Sequence, residues 1–214
     1  MKAVIFDMNG VIIDDERIHQ ESWRVYCEKH GFHISEEDFK LKVFGRTEKN
    51  TFEFLYNRSI TTEKLEKFSN ERVDTAINIF KAQIKMTLGL QELLDELYEN
   101  NIPMAVATSS RKRYFSFIMD ALSIGKYFKI VLTAEDISKG KPDPEIYLKT
   151  AEGLKINPQE CLVFEDTISG IKAAKAADMK VVGVATTHSS EELNIANAVV
   201  QDFQDVNINF LNNI

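Results

Sequence analysis

The first ten residues combine a buried-strand pattern with side chains that could do chemistry. Ala3–Phe6 is an unbroken apolar run, which is typical of a strand buried on both faces of a parallel sheet. Asp7 follows directly, Asn9 comes two residues later, and Gly10 allows a sharp turn. A carboxylate at the end of such a strand is costly unless it binds a cation or reacts. The stretch predicts a functional Asp7, although alone it also fits an aspartate that merely starts a turn.

Polar side chains follow three later apolar runs in the same way. They are Thr108, Ser109 and Ser110, then Lys141, which is flanked by Gly140 and Pro142, and finally Glu165 and Asp166. Each group alone also fits a helix cap or a solvated surface side chain. Because the carboxyl ends of parallel strands meet at one crevice, we expect these side chains to lie near Asp7. Three carboxylates, an ammonium and several hydroxyls are suited to a divalent cation and a phosphate group.

The elements that would position these residues alternate between strands and helices. The predicted strands are Ala3–Phe6, Ile102–Thr108, Ile130–Thr133, Cys161–Glu165 and Val181–Ala185, with a short edge at Asn197–Val200. The predicted helices between them are Leu88–Asn101, Lys112–Leu122, Pro144–Gly153 and Ser169–Ala177. This alternation predicts an α/β fold with a doubly wound parallel sheet. The Asn-rich C-terminus is expected to fray.

A helical segment interrupts this alternation after the first strand. Its amphipathic patterns are His19–His30, Glu36–Lys42, Thr47–Tyr56 and Thr61–Gln83. We therefore predict a Rossmann-like core domain at 1–13 and 86–214 and an inserted α-helical domain at 14–85.

The composition limits the possible partners. The chain has 214 residues, of which 44% are hydrophobic and 28% charged, as in ordinary globular domains. Its formal net charge of -7 argues against binding to nucleic acid or an anionic membrane. A phosphorylated small molecule is still compatible, because a bound Mg²⁺ ion reverses the local charge. Cys27 and Cys161 are interpreted as reduced thiols, and no signal peptide or membrane span is evident, so a cytoplasmic protein is expected.

These motifs, in this order, resemble those of the haloacid dehalogenase superfamily, in the branch with a helical cap inserted after the first motif. Phe-Asp-Met-Asn-Gly at 6–10 resembles the first motif and Thr108 the second. Lys141 in Gly-Lys-Pro-Asp-Pro resembles the third, and Glu165-Asp166 the fourth. The resemblance covers essentially the whole chain. Within the superfamily the chain is similar to beta-phosphoglucomutases and to sugar- and polyol-phosphate phosphatases.

The resemblance implies a mechanism for transferring a phosphoryl group. Asp7 would attack phosphorus and become an aspartyl phosphate. Mg²⁺ would be bound by Asp7, the main-chain carbonyl of Asn9 and Asp166, with Glu165 close behind or reached through water. Lys141, Thr108 and the Ser109 amide would hold the transferred phosphoryl oxygens, and Ser110 belongs to the same group of expected substrate-binding residues.

Asn9 departs from the family pattern, in which a second aspartate acts as general acid and base. A carboxamide cannot exchange a proton in this role, so turnover should fall by roughly 10²–10⁴-fold. Three explanations stay open: an engineered change in an otherwise intact enzyme, a naturally slow or inactive protein, or a different chemistry. The otherwise complete set of site residues favours the first.

The helical segment supplies the expected contacts to the rest of the substrate. By resemblance, His19 corresponds to a histidine at the cap hinge, and Gly45 and Arg46 to a substrate-contacting loop. A solvated histidine and a surface arginine are the alternatives. Glu48 occupies the position at which a mutase would carry a phosphate-binding arginine, which weakens a mutase interpretation.

The preferred function is a Mg²⁺-dependent phosphatase acting on a small phosphorylated metabolite, a sugar or polyol phosphate, and impaired by Asn9. The first alternative is a beta-phosphoglucomutase-like isomerase, and the second is a phosphate-ligand-binding protein without turnover. A monomer or weak dimer is expected.

Overall fold

The computed structural model describes residues 1–43, 47–81 and 84–214, which form two compact units. The first unit consists of Met1–Asp15 and Ile84–Ile214, and the second of Glu16–Gln83. Within the described residues, no helix is long and apolar enough to cross a membrane. Cys27 and Cys161 are both buried and free.

The first unit contains a six-stranded parallel sheet. Its strands are β1 (Ala3–Phe6), β2 (Met104–Ala107), β3 (Phe128–Leu132), β4 (Cys161–Glu165), β5 (Lys180–Val184) and β6 (Ala198–Val200). Their spatial order is β3-β2-β1-β4-β5-β6, and every neighbouring pair is parallel. The chain winds outwards from β1 in one direction and from β4 in the other. The switch point of the sheet therefore lies between β1 and β4, where open α/β sheets bind ligands.

The second unit is helical. It contains α1 (Glu16–Lys29), α2 (Glu36–Asp38) followed by a π-helical turn (Phe39–Val43), α3 (Glu48–Tyr56) and α4 (Thr62–Phe80). The hydroxyls of Thr47 and Thr61 cap α3 and α4 by accepting a backbone N–H three residues later. Aromatic side chains form its core, and the rings of Trp23 and Phe52 lie 5.1 Å apart. The predicted helix at Glu36–Lys42 thus exists, but most of it has π-helical geometry.

Helices of the first unit alternate with its strands. They are α5 (Leu90–Glu99), α6 (Lys112–Leu122), α7 (Glu145–Leu154), α8 (Ile168–Ala176) and α9 (Ile208–Asn212). The sheet and these helices confirm the predicted fold class, an α/β protein with a doubly wound parallel sheet and an inserted helical segment.

The two central strands are entirely buried, as their apolar sequences indicate. Phe6 and Phe164 are partners in the β1–β4 register, and their rings stack with centroids 5.2 Å apart. The next residues along the two strands are the acidic ones. The register therefore brings Asp7 and Glu165 to the same edge of the sheet.

Most predicted bounds differ from the structure by one or two residues, and two of the differences have identifiable reasons. β2 begins at Met104 rather than Ile102, since Pro103 has no N–H to donate to the sheet. The C-terminus forms α9 where fraying was expected. The Asn207 side chain accepts the backbone N–H of Phe210, and Leu211 is buried, so both a cap and a hydrophobic contact stabilise this helix.

Candidate active site at the switch point of the sheet

Asp7 lies at the carboxyl end of β1 and is almost completely buried, with 6% of its surface exposed. Its backbone N–H donates to the carbonyl of Phe164 at 3.0 Å, which continues the β1–β4 pairing by one residue. Burial, opposed by the Lys141 charge and reinforced by Glu165, raises the pKa of Asp7 to about 7. The fold thus places a desolvated carboxyl group at the switch point.

Lys141 reaches this carboxyl group from the loop between β3 and α7. Its Nζ lies 2.7 Å from Asp7 Oδ1 and also forms an ion pair with Glu165 Oε1. The ammonium lies 5.1 Å from the centre of the Tyr147 ring and 3.4 Å from the carbonyl oxygen of Ala107. Although burial opposes its charge, Asp7 and Glu165 raise the pKa of Lys141 well above its usual value. Lys141 is therefore a buried, charged donor directly beside Asp7.

Glu165 is the last residue of β4 and is held by many donors. In addition to Lys141, it accepts the Tyr147 hydroxyl at 2.9 Å, the Thr167 hydroxyl at 3.0 Å, and the backbone N–H groups of Asp166 and Thr167 at 3.0 Å. Although burial raises the pKa of Glu165, Lys141 and these hydrogen bonds hold it below its usual value. The carboxylate is thus ionised, fixed in orientation and already engaged on both oxygens.

Asp166 is also buried but is in a different electrostatic environment. Burial, followed by the charges of Glu165 and Asp7, raises its pKa well above the usual value. Gly10 leaves the space that its carboxylate occupies, because a Cβ on Gly10 would lie 2.0 Å from Asp166 Oδ2. Gly10 also has a φ of +71°, in the left-handed region that favours glycine. The turn after β1 is therefore shaped around Asp166.

The hydroxyl group of Thr108 follows β2, and Thr108 is fully buried. Its Oγ1 accepts the backbone N–H of Ser110 at 3.0 Å. Ser110 Oγ in turn donates to Asn9 Oδ1, so β2 is linked to the turn after β1. Ser109 lies between them and is exposed. The structure thus brings Thr108 and Ser110 to Asn9, as expected for strand ends that meet at one crevice.

Asn9 is held by hydrogen bonds on both sides of its carboxamide. Its Nδ2 donates to Asp15 Oδ2, while its Oδ1 accepts from Ser110 and lies 3.5 Å from Thr108 Oγ1. The Tyr114 hydroxyl donates to the same oxygen of Asp15 at 2.9 Å. Sequence reasoning missed both Asp15 and Tyr114 as residues of this site.

The donor chemistry of the site fits a divalent cation. Asp7, Glu165 and Asp166 are buried carboxyl groups around the Lys141 ammonium, and burial, reinforced by the neighbouring carboxylates, raises the pKa values of Asp7 and Asp166, so a cation beside them would be favourable. Among the described residues, no three His, Cys, Asp or Glu side chains form a group that could hold a metal ion. Because Glu165 is engaged by other donors, the carboxylates left to hold a cation are those of Asp7 and Asp166, and oxygen ligands of this kind suit Mg²⁺.

The expected substrate-binding residues of the helical unit are only partly described. His19 lies in α1, with Nδ1 3.3 Å from a guanidinium nitrogen of Arg72. Since a guanidinium group only donates, the ring nitrogen is the acceptor in this contact. Arg72 also pairs with Glu48, with Nη2 and Oε1 2.8 Å apart. Gly45 and Arg46 lie outside the described residues.

A sequence model described as haloacid dehalogenase-like hydrolase matches residues 4–184. This is more than half of the chain, so the protein belongs to the haloacid dehalogenase-like hydrolase family. The match confirms the family resemblance seen in the four motifs.

Individual relatives within this family are named as a phosphatase of phosphorylated carbohydrates and a beta-phosphoglucomutase. A phosphorylated carbohydrates phosphatase of Thermotoga maritima is 34% identical over 185 residues, covering 86% of this chain and 85% of that protein. The beta-phosphoglucomutase of Bacillus subtilis is 31% identical over 217 residues, covering 99% of this chain and 94% of the mutase. A crystal structure of a family IA, variant 3 hydrolase from Entamoeba histolytica superposes with a TM-score of 0.91 at 33% identity, covering 99% of this chain and 97% of that one. These relatives confirm the predicted branch and the prediction of an enzyme.

Proposed function

We propose that this phosphatase of the haloacid dehalogenase-like family hydrolyses a small phosphorylated metabolite with Mg²⁺, through a phosphorylated Asp7. The observation that carries the proposal is the buried Asp7 carboxyl group in contact with Lys141 at the switch point of the sheet, beside Asp166. An ammonium that binds the nucleophile is also close enough to bind the phosphoryl oxygens that approach it.

In the first step, an Asp7 carboxylate oxygen forms a bond to phosphorus while the bond from phosphorus to the leaving oxygen breaks. Lys141, the Thr108 hydroxyl and the Ser109 amide stabilise the negative charge on the transferred group. In the second step, a water oxygen attacks phosphorus, the bond to Asp7 breaks, and inorganic phosphate leaves. The Asp7 carboxylate is regenerated, so the net reaction consumes one water molecule.

Asn9 limits both steps, because each requires a proton transfer. The leaving oxygen needs a proton in the first step, and the attacking water must lose one in the second. The carboxamide of Asn9 can orient these groups by hydrogen bonding, but it cannot supply or accept the proton. The protons must then be exchanged with solvent water. We therefore infer a slow enzyme whose binding residues are intact.

The cation would be held by the carboxylates of Asp7 and Asp166 and the main-chain carbonyl of Asn9. When bound, Mg²⁺ supplies positive charge that draws the phosphate to Asp7 and offsets the repulsion between the carboxylates. We assign Glu165 to a different task from direct metal binding. Its hydrogen bonds to Lys141, Tyr147 and Thr167 fix the position of the Lys141 ammonium.

We infer a sugar or polyol phosphate as the substrate. This inference is supported by the Thermotoga maritima relative, which is named as a phosphatase of phosphorylated carbohydrates. His19, Gly45 and Arg46 are proposed to contact the part of the substrate that leaves. A cytoplasmic location and a monomer or weak dimer stay predictions.

The second candidate is a sugar-phosphate mutase, which the similarity to the Bacillus beta-phosphoglucomutase favours. A mutase must bind a bisphosphate intermediate and therefore needs two cationic pockets. Glu48 stands where a mutase is expected to carry a phosphate-binding arginine. Its carboxylate forms an ion pair with Arg72 and offsets the positive charge of that guanidinium group. This arrangement favours the phosphatase. Activity that depends on added sugar bisphosphate and yields an isomer would instead identify the mutase.

The proposal is tested by measuring phosphate release from a panel of sugar and polyol phosphates, with Mg²⁺ and with chelator. The unsubstituted chain is compared with Asn9→Asp, and Asp7→Asn is the control that removes the nucleophile. We expect Asn9→Asp to raise turnover by roughly 10²–10⁴-fold on some of these substrates, only with Mg²⁺. An unchanged rate in Asn9→Asp would contradict the role given to residue 9. Ligand binding without hydrolysis in either form would favour a binding protein.

A further inference from the structure

The carboxamide of Asn9 and the carboxylate of Asp15 meet as hydrogen-bond donor and acceptor. Asp15 is 1% exposed, and its Oδ2 accepts both Asn9 Nδ2 and the Tyr114 hydroxyl, the latter at 2.9 Å. Because a carboxylate only accepts, the NH₂ end of the Asn9 carboxamide must face Asp15. Its oxygen then faces the Ser110 hydroxyl, which donates to it. Asp15 therefore sets which end of the residue 9 side chain points to the catalytic groups after β2.

An aspartate at position 9 would not fit this arrangement in the same way. Its carboxylate has no N–H for Asp15, so two acceptors would meet at hydrogen-bonding distance. Asp15 Oδ2 would keep the Tyr114 hydroxyl but lose the Asn9 donor, which is costly for a buried acceptor, and two adjacent carboxylates add repulsion. The charge of Asp15 is already close enough to raise the pKa of Asp7. The side chains at positions 9 and 15 are thus matched to each other.

We propose that Asp15 is a positioning residue for residue 9 and that the two positions form one functional pair. This inference rests on the proposed phosphatase function. In Asn9→Asp alone, the new carboxylate turns away from Asp15 and gains only part of the proton-transfer rate that a carboxylate held in the position of the carboxamide would give. Adding Asp15→Asn restores the hydrogen bond with its direction reversed, because the amide at position 15 donates to the carboxylate at position 9. The double substitution then holds that carboxylate where the carboxamide is now.

The test compares Asn9→Asp, Asp15→Asn and Asn9→Asp/Asp15→Asn with the unsubstituted chain. Asn9→Asp/Asp14→Asn is the matched control, since Asp14 is adjacent in sequence but exposed, and its substitution removes the same charge. The readouts are kcat and KM for p-nitrophenyl phosphate with Mg²⁺, and Tm with chelator. We expect Asn9→Asp/Asp15→Asn to exceed Asn9→Asp by about tenfold in kcat, with little change in KM, and to regain the Tm that Asn9→Asp loses. The control should show neither gain.

The outcomes separate this inference from the proposed function. Equal kcat and Tm in Asn9→Asp and Asn9→Asp/Asp15→Asn would overturn the pairing, as would an equal gain in the Asp14→Asn control. If no form releases phosphate while the Tm values still show the coupling, the structural pairing of the two side chains stands, but the phosphatase proposal fails together with the positioning role that rests on it. If phosphate is released without any coupling in kcat or Tm, the phosphatase stands and the pair is wrong.

Discussion

At the scale of single residues, the electrostatics of the site are set by three buried carboxyl groups that share the Lys141 ammonium. Lys141 pairs with Asp7 and Glu165, while Asp166 retains a pKa raised by burial and by its acidic neighbours. Glu165 is fixed by Tyr147 and Thr167 hydroxyls as well as by backbone N–H groups. The adjacent acidic residues at the end of β4 are therefore not equivalent: Glu165 is engaged with the Lys141 ammonium, and Asp166 is the one proposed to bind the cation.

The absence of a carboxyl group at position 9 should make the rate depend strongly on the leaving group. A nitrophenolate leaves without a proton, whereas a sugar alkoxide needs one. We expect the unsubstituted chain to have a much larger kcat for p-nitrophenyl phosphate than for a sugar phosphate, so that the ratio of the two kcat values is large. Asn9→Asp/Asp15→Asn should reduce that ratio by about 10²-fold, since general acid catalysis helps the poor leaving group most. Steady-state kinetics on both substrates provide the test, and a ratio that does not change would exclude a proton-transfer role for residue 9.

At the scale of elements, α8 is positioned by a close approach to the acidic end of β4. A Cβ on Gly170 would lie 1.7 Å from Glu165 Oε1, so the first turn of the helix can pass the carboxylate only with glycine there. The Gly170 N–H also donates to the Thr167 hydroxyl, which caps the helix at 3.0 Å. A single glycine therefore determines the packing of this helix against the site.

Gly170→Ala should consequently destabilise the fold and displace Glu165. We expect a loss of about 1–3 kcal/mol in the free energy of unfolding, as for other overpacked sites, together with a lower kcat. Gly125→Ala is the control, because no atom lies within 4 Å of a Cβ at that position. Denaturant titration of both variants measures the difference, and equal stabilities would show that α8 can move away from β4 without cost.

Most of the strands and helices can be predicted from the sequence. The apolar runs at Ala3–Phe6 and near Cys161–Glu165 predict the central strands because buried parallel strands require continuous hydrophobic residues. Boundaries and the C-terminal helix depend on local hydrogen bonds, such as the Asn207 cap, which composition does not reveal. Polar residues that follow strand ends can be predicted to converge for the same topological reason.

The contacts of Asp15, Tyr114 and Tyr147 could not be predicted in this way. Tyr114 lies in α6 and Tyr147 in α7, and their hydroxyls reach the site only through tertiary packing. An aromatic residue on a buried helix face is usually part of the core, so its sequence context carries no signal of a polar role. The ion pairs that Lys141 forms with Asp7 and Glu165 likewise depend on distances that only the folded sheet determines.

At the scale of the whole molecule, the acidic site should couple cation binding to stability. A ligand that binds only the folded state raises Tm, and a cation bound as proposed would give the desolvated carboxylates of Asp7 and Asp166 a counter-ion. We expect Mg²⁺ to raise Tm relative to chelator, and Asp166→Asn to abolish that rise while increasing Tm without metal. Asp178→Asn, at an exposed aspartate, is the control and should retain the Mg²⁺ effect. Differential scanning calorimetry gives both values, and an equal Mg²⁺ response in the two variants would place the cation elsewhere.

The central claim is that Asp7 accepts the phosphoryl group, and it can be tested by trapping. Because Asn9 cannot activate water, the aspartyl phosphate should accumulate in the unsubstituted chain incubated with acetyl phosphate and Mg²⁺. Borohydride reduces an aspartyl phosphate to homoserine, which peptide mass spectrometry locates in the sequence. We expect homoserine at position 7, and none in Asp7→Asn or with chelator. Homoserine at another position, or phosphate release with no homoserine at all, would contradict the claim.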